Sequence, residues 1–523
     1  MKSVLLRFWL LLLIPVCSRA QQKISFDAVR QAYFRNSGTI NEKEEIKGYF
    51  TFYVSDKKDR KTNEYTIRIL DANLNKIKDV VFEDDEYTQI LESSYNGSSI
   101  MFLFFNRKER TLEYRAYDFD GKVKSTYTRE LNNRSRGLLE STYKDRSEEG
   151  QNEALHSVND NGFVTVFPVK EGKYYSYEVN FFFSDRKKEW TYEAAEEQED
   201  KWASALYLGA TDSLLIFEVI KQKRLLSGKP HSWLVGLNIF SGKLAFEMST
   251  EAEDYKFYPM NVVKEEGTGN VNVIGTYYEP DGKVLKDASL GLANWLISAK
   301  GTVLAKKYNS WEGPISKYLP TDQKGRVEDV GYIYFHRILR ADDGNYFAIG
   351  EGYKKVVSGL GVASNILRMA GGGGGGTGVS AFKVKITDMV VIRFNPKFDV
   401  TNATIYDKRS NSVELPGGSS YLTPHVMALM AKAWGGFDYE FTQTDNNHSR
   451  FSIGYSDYEK TDEYKGNTFN AITYSDGKIT RDKINLKSKS SWMRILPGKP
   501  GFVMVMEYFK KEKRMDLRLE KIN

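Results

Sequence analysis

Short apolar runs, each introduced by a Gly, Asn or Asp turn, recur along the whole chain. Asn96-Gly97 precedes Ile100 to Phe105, and Asn161-Gly162 precedes Phe163 to Phe167. Thr211-Asp212 stands before Leu214 to Val219, and Gly269-Asn270 before Val271 to Gly275. Gly344-Asn345, Asn447 and Gly501 introduce Tyr346 to Gly350, Phe451 to Tyr455 and Phe502 to Met506, and near the start Gly48 precedes Tyr49 to Val54. Each run passes through a charged turn into a second apolar stretch. That stretch closes on another turn, such as Asp71 to Lys76, Asp118 to Lys122, Ser241-Gly242-Lys243, Lys300-Gly301 or Asp476-Gly477-Lys478. Asp-Gly between β-rich runs is a strong hairpin signal, and the alternation in Tyr65 to Leu70 has the period of two that a strand requires.

An aromatic-led stretch stands before several of the first turns: Tyr87 to Leu91, Trp202 to Leu208, Tyr258 to Val263, Tyr334 to Leu339 and Trp492 to Leu496. The unit therefore reads strand A, Gly turn, strand B, charged turn, strand C, Lys turn, strand D. Eight such units fit after residue 20, at roughly 63 residues each. Four antiparallel strands per repeat resembles the β-propeller plan, in which radial repetition protects strand edges. No Trp-Asp or kelch Gly-Gly signature recurs, so the resemblance is to the architecture alone. It implies an all-β fold of four-stranded antiparallel blades over residues 21–523, with eight blades favoured over seven and a pair of β-sandwich domains as the alternative. The last unit ends in strand C at Met515 to Ile522, and Ile24 to Phe26 is expected to supply the missing outer strand.

Two insertions interrupt the repeat. Residues 351–389 contain Gly371 to Gly376; residues 402–449 contain Thr423-Pro424, an N-cap and N1 pair, before Val426 to Trp434 and Gly435-Gly436, which predicts one short helix.

The first twenty residues change the picture of compartment. Lys2 and Arg7, the apolar run Phe8 to Val16 and the small residues of Ser18-Arg19-Ala20 follow the order of a secretory signal peptide cut after Ala20. The run is too short to span a bilayer, and no later segment is longer. The expectation is a secreted or periplasmic, monomeric protein without a transmembrane segment. Cys17 is the single cysteine, so the mature chain has no thiol; lipidation at Cys17, for which Val16 is a poor neighbour, is the less favoured course. Without Lys2, Arg7 and Arg19 the chain keeps 72 basic against 69 acidic residues, a balance that gives no reason to expect nucleic acid.

Chemistry is sparse. The Gly371 to Gly376 run lacks the Lys-Ser/Thr of a phosphate loop and reads as a linker. Asp118-Phe119-Asp120-Gly121 is followed by Lys122-Val123-Lys124, which favours a hairpin turn over a calcium loop. The histidines, His156, His231, His336, His425 and His448, show no metal spacing, and no Gly-x-Ser-x-Gly occurs. No metal or cofactor is expected. If strand A lines a channel, His156, His336, Arg337 and Arg494 face it and are the candidate ligand contacts, weighed against polar filling of a wet channel. Trp311, Tyr421 and Trp434, with Phe437, are candidate aromatic platforms for sugar, weighed against core packing. B–C turns are basic (Lys57, Lys58, Arg60, Lys61; Arg107, Lys108, Arg110; Lys221, Lys223, Arg224; Lys510, Lys511, Lys513, Arg514) and D–A connections acidic (Glu83 to Glu86, Glu196 to Asp200, Glu251 to Asp254), a pattern read as mutual neutralisation rather than a docking rim. The functional expectation is a non-catalytic binding protein for carbohydrate or an envelope or extracellular protein. The alternatives are a polysaccharide hydrolase or lyase acting at the channel mouth and a structural envelope protein.

Overall fold

The computed structural model describes residues 22–522, apart from 34–35, 43–44, 145–153, 159, 185–188, 195–199, 224–229, 266, 285, 359–378, 417–418 and 420–421. The expected signal segment and the six-glycine run lie outside the described residues.

The described residues form a β-propeller of eight four-stranded antiparallel blades. Blade 1 comprises Gly38–Glu42, Glu45–Lys57, Thr62–Asp71 and Lys76–Asp85, and blade 2 comprises Thr88–Tyr95, Ile100–Asn106, Thr111–Tyr117 and Val123–Glu130. Blades 3 and 4 (Leu155–Val158 to Glu189–Glu193, and Trp202–Ala210 to Leu244–Ser249) are joined by one parallel bridge, Tyr175 to Trp202. Blade 5 runs from Lys256–Lys264 to Val303–Ser310, blade 6 from Tyr332–Arg340 to Val400–Tyr406, and blade 7 from Tyr439–Thr444 to Lys478–Asn485. Blade 8 takes Trp492–Pro497, Phe502–Phe509 and Arg514–Lys521 from one end of the chain and Lys23–Phe26 from the other. Ile24 pairs with Leu517 and Phe26 with Met515, so the ring closes as the sequence led us to expect.

Strand B explains why the apolar runs are continuous rather than alternating. Both of its faces are covered by neighbouring blades, so successive residues enter successive seams. Phe102 and Phe104 pack between blades 1 and 2, while Met101, Leu103 and Phe105 pack between blades 2 and 3. Leu215, Phe217 and Val219 enter the seam with blade 3, Leu214 and Ile216 the seam with blade 5. Every seam holds such a cluster, including Tyr49, Tyr53 and Leu70 against Met504, Met506 and Tyr508 where blade 1 meets blade 8. At about 25 cal/mol per Å² of apolar surface removed from water, these seams are the main stabilising term.

Several expectations need correction. The segment 402–449 is not a single insertion: it contains the fourth strand of blade 6, an extra strand (Asn411–Pro416) beside strand C, and the first strand of blade 7. These strands are short and polar on their exposed faces, which hides them from a search for apolar runs. The described residues of the segment 351–389 are nearly all strand, because Tyr346–Val357 and Val379–Phe394 extend into it as a long hairpin; residues 359–378 lie outside the described residues. Gly48 lies within strand B, not in a turn. A Cβ there would stand 2.2 Å from the Leu70 carbonyl oxygen, so glycine permits close cross-strand approach. A helix at Asn133–Lys144 (α1) joins blades 2 and 3 and was not anticipated, its sequence being largely polar. The anticipated helix, α2, spans Pro424–Ala433, and the Thr423 hydroxyl accepts from Val426 N–H at 3.4 Å.

Candidate functional site

The first strand of each blade faces the axis, and five of these strands carry a β-bulge, at Leu91, Leu208, Met260, His336 and Glu440. A bulge leaves one residue out of the ladder and re-aims its side chain. The inner wall is consequently irregular. A cavity of about 1270 Å³ opens among the inner strands of blades 5 and 6 and the A–B turns of blades 3, 4 and 7.

Its ionised side chains are Asp160, Asp212 and Asp342 against Lys264, Arg337 and Arg340; Asn161, Asn261, Asn446 and Asn447 add neutral polar groups, and His448 completes the rim. Lys264 Nζ donates to Asp212 at 2.8 Å, and Arg337 Nη1 to the Thr442 carbonyl at 3.3 Å, which holds the guanidinium between blades 6 and 7. His448 Nδ1 lies 3.0 Å from the Arg340 carbonyl oxygen. The lining carries equal numbers of cationic and anionic side chains.

Of the residues singled out in the sequence, Arg337 is exposed and lines this cavity. His336 contributes to its wall, but the bulge turns its imidazole away into the seam between blades 6 and 7, where the side chain is 0% exposed. His336 Nε2 lies 3.2 Å from Glu351 Oε2, and the ring stacks on Tyr439 at 4.5 Å. Burial, with Lys432 and Lys408 nearby, pushes its pKa well below the ordinary value, so the ring is neutral. His156 packs against Tyr207 with ring centres 4.8 Å apart and planes tilted by 34°, between blades 3 and 4. Arg494 Nη1 donates to the Ser37 carbonyl at 2.9 Å and lines a separate opening of about 300 Å³ among blades 8, 1 and 2. The four residues are thus not one constellation. Trp311 is no platform: it is 3% exposed, within the cluster between blades 5 and 6, because a one-turn helix at Trp311–Ile315 tucks it beneath Ser289, whose hydroxyl accepts from the indole N–H at 3.1 Å. Trp434 is half-buried and packs with buried Phe437 against α2 and blade 6. Tyr421 lies outside the described residues.

The sequence reading missed a set of buried carboxylates. Glu351 lies in the middle of an apolar strand B, accepts from Asp438 N–H and Tyr439 N–H, each at 3.2 Å, and meets Lys408 Nζ at 2.9 Å. Lys408 also donates to Asp438 at 2.5 Å. Burial raises the Glu351 pKa against the pull of Lys408, and raises Asp438 to about 6. Glu92 accepts from Ala154 N–H at 3.1 Å and Leu155 N–H at 2.7 Å, anchoring blade 3 to blade 2. Glu218 accepts from Ser232 Oγ at 3.1 Å and from the Tyr258 hydroxyl of blade 5, and burial lifts it to about 8. The available signal was a Glu inside an otherwise apolar run, as in Phe347-Ala348-Ile349-Gly350-Glu351. These groups are committed to backbone and side-chain partners in the seams. Among the described residues no group of three or more His, Cys, Asp or Glu is placed to hold a metal ion.

One basic turn meets an acidic connection directly: Lys57 pairs with Glu86 at 3.0 Å. Asp118 accepts from the Lys122 backbone N–H at 2.8 Å, closing its own turn.

The chain belongs to the family of unknown function DUF6770, whose model matches residues 1–523. No curated protein matches it. Among solved structures, the WD40 domain of SCAP from fission yeast is similar at 7% identity and TM-score 0.36, covering 95% of this chain and 94% of that one. The tricorn protease is similar at 9% identity and TM-score 0.38 (88% of this chain, 36% of that one). Prolyl oligopeptidase B from Galerina marginata is similar at 8% identity and TM-score 0.35 (86% and 56%). The propeller assignment rests on the strand pairing itself.

Proposed function

We propose that this protein is an exported, non-catalytic binding protein that holds a polar, uncharged ligand, a glycan in the first instance, in the cavity at the A–B end of its channel. The observation that carries this reading is the cavity of about 1270 Å³, lined by three acidic and three basic side chains and four asparagines. That volume is at or above the upper end of small-molecule sites, and a lining of mixed donors and acceptors without charge excess suits hydroxyl groups. Glu218 and Glu351, buried carboxyls whose pKa burial raises, are engaged in blade seams instead of converging on the cavity, which favours binding over catalysis. Export rests on the basic, apolar and small-residue order of residues 1–20.

The test is a glycan and envelope-extract screen with the purified protein, repeated with Arg337→Gln and Asn446→Ala. Saturable binding weakened by both changes, without turnover of the ligand, is the expected result. Turnover of a bound glycan, or binding indifferent to both changes, overturns the proposal.

A further inference from the structure

A second opening, of about 390 Å³, lies away from the channel, where the outer strands of blades 6 and 7 diverge. One wall carries Arg393, Asn402, Thr404 and Tyr406; the other carries Arg481 and Ile479. Its origin is geometric, since wedge-shaped blades separate toward the rim.

Arginines occupy other seams and outer strands of this propeller too, with carboxylate partners. Arg68 is bidentate to Asp79 at 2.7 and 2.8 Å. Arg115 reaches Glu113 and Asp84, both at 2.6 Å. Arg129 pairs with Glu178, and Arg518 with Glu507 and Glu520. In the crevice, Arg393 is engaged by Asp343 at 3.2 Å, and Asp343 also accepts from the Tyr474 hydroxyl at 2.8 Å. Arg481 differs. Its guanidinium lies 5.3 Å from the centre of the Tyr406 ring and beside the Tyr455 hydroxyl, and no carboxylate among the described residues pairs with it.

An arginine held against an aromatic face is preorganised, and its fork matches a carboxylate bidentately. Asn402 and Thr404 supply neutral hydrogen-bonding groups, and Ile479 an apolar surface, within a volume that admits a sugar ring with its substituents. Gly477 stands at the edge of the opening, and nothing lies within 4 Å of where a Cβ would be.

We propose that this crevice is a binding subsite for a carboxylate-bearing sugar residue, with Arg481 taking the carboxylate and Asn402 and Thr404 the hydroxyls. The site is independent of the channel. A sugar is favoured over an acidic peptide because Asn402 and Thr404 set neutral hydrogen-bonding groups beside Arg481. The outer strands Val400–Tyr406 and Lys478–Asn485 end their sheets, and pairing of a peptide with those edges is the outcome that the glutamyl-peptide arm of the test reads.

Ligand-observed NMR titration of the purified protein with D-glucuronate, D-glucose and an N-acetylated glutamyl peptide tests it. Saturable glucuronate binding, at least tenfold weaker for glucose and for the peptide, is expected. Arg481→Gln should weaken glucuronate binding at least tenfold with an unchanged melting temperature, and Asn402→Ala by a smaller factor. Failure of glucuronate to bind, binding unaffected by R481Q, or equal binding of the glutamyl peptide each overturns the proposal. A loss of binding in N402A with intact folding supports it even where R481Q is unstable. Channel variants such as R337Q should leave glucuronate binding unchanged, which separates failure of this site from failure of the channel.

Discussion

Replacing Glu218 by Gln should make the protein more stable at alkaline pH and leave it nearly unchanged at acidic pH. Glu218 is 1% exposed, and burial raises its pKa from the ordinary 4.5 to about 8. Below pH 4.5 the carboxyl is protonated whether the chain is folded or unfolded, so it contributes no pH dependence there. Between 4.5 and 8 the unfolded chain releases the proton while the folded protein keeps it, and stability falls as pH rises. At about 1.4 kcal/mol per pKa unit, the penalty approaches about 5 kcal/mol above pH 8. Glutamine has the shape of the protonated acid and keeps an oxygen for the Ser232 and Tyr258 hydroxyls, but it does not ionise.

The entropy of unfolding, about 2 cal/mol/K per residue, converts 1 kcal/mol to roughly 1 °C for a chain of this length. Circular-dichroism melts of wild type and E218Q at pH 4.5, 6, 7.5 and 8.5 should therefore show a difference that grows to about 5 °C in favour of the variant. Because Glu351 and Asp438 titrate in both proteins, the difference isolates Glu218. A difference that stays constant within 1 °C across the series, or that moves against the variant at high pH, refutes the buried-acid argument.

Lys408→Met leaves Glu351 and Asp438 buried without their cation, and breaking such a pair should cost about 3–5 kcal/mol at pH 7. The loss should shrink at pH 5, as the two carboxyls take up protons, which parallel melts at the two pH values will show. Phe26→Ala removes a 6%-exposed ring that packs 5.6 Å from Tyr53 and beneath the Arg68 guanidinium, and should cost about 3–5 kcal/mol. Because the ring belongs to the closing strand, limited proteolysis should cut near residue 22 faster in the variant.

The repeat was legible because its punctuation is chemical. Gly242, Gly301 and Gly477 have φ near +70° to +80° in C–D turns, a conformation glycine adopts without strain, so the turns appear in the sequence as glycines at regular intervals. The closing strand was legible as a deficit, a final unit one strand short. What escaped notice was carried by side chains whose role depends on distant partners. His336 looks like any inward residue of strand A until the bulge after Phe335 turns it toward Glu351. Arg481 sits on an exposed outer strand, and only the adjoining blade shows that no carboxylate among the described residues pairs with it, unlike Arg68, Arg115, Arg129 and Arg518. Asn402 to Ile405 form an outer strand whose polarity reads as loop.

Helices α1 and α2 and two of the buried carboxylates are linked by one physical requirement. In most blades the D–A connection is short and the incoming strand A starts in register. Between blades 2 and 3 the connection contains α1, and between blades 6 and 7 it contains α2. N–H groups at the start of an inner strand are enclosed by the neighbouring blade, and buried donors left unpaired cost about 1–3 kcal/mol each. At both places a carboxylate of the preceding blade takes the first two of these groups: Glu92 those of Ala154 and Leu155, Glu351 those of Asp438 and Tyr439. The seam gains a directional contact that fixes where the next inner strand begins, in a ring that has no cysteine after residue 17 to staple it. The same use of the carboxylates withdraws them from the channel. The cavity is left with Lys264, Arg337 and Arg340 of the inner strands and the aspartates of the turns, the lining from which a binding role, and not an acid–base one, was inferred.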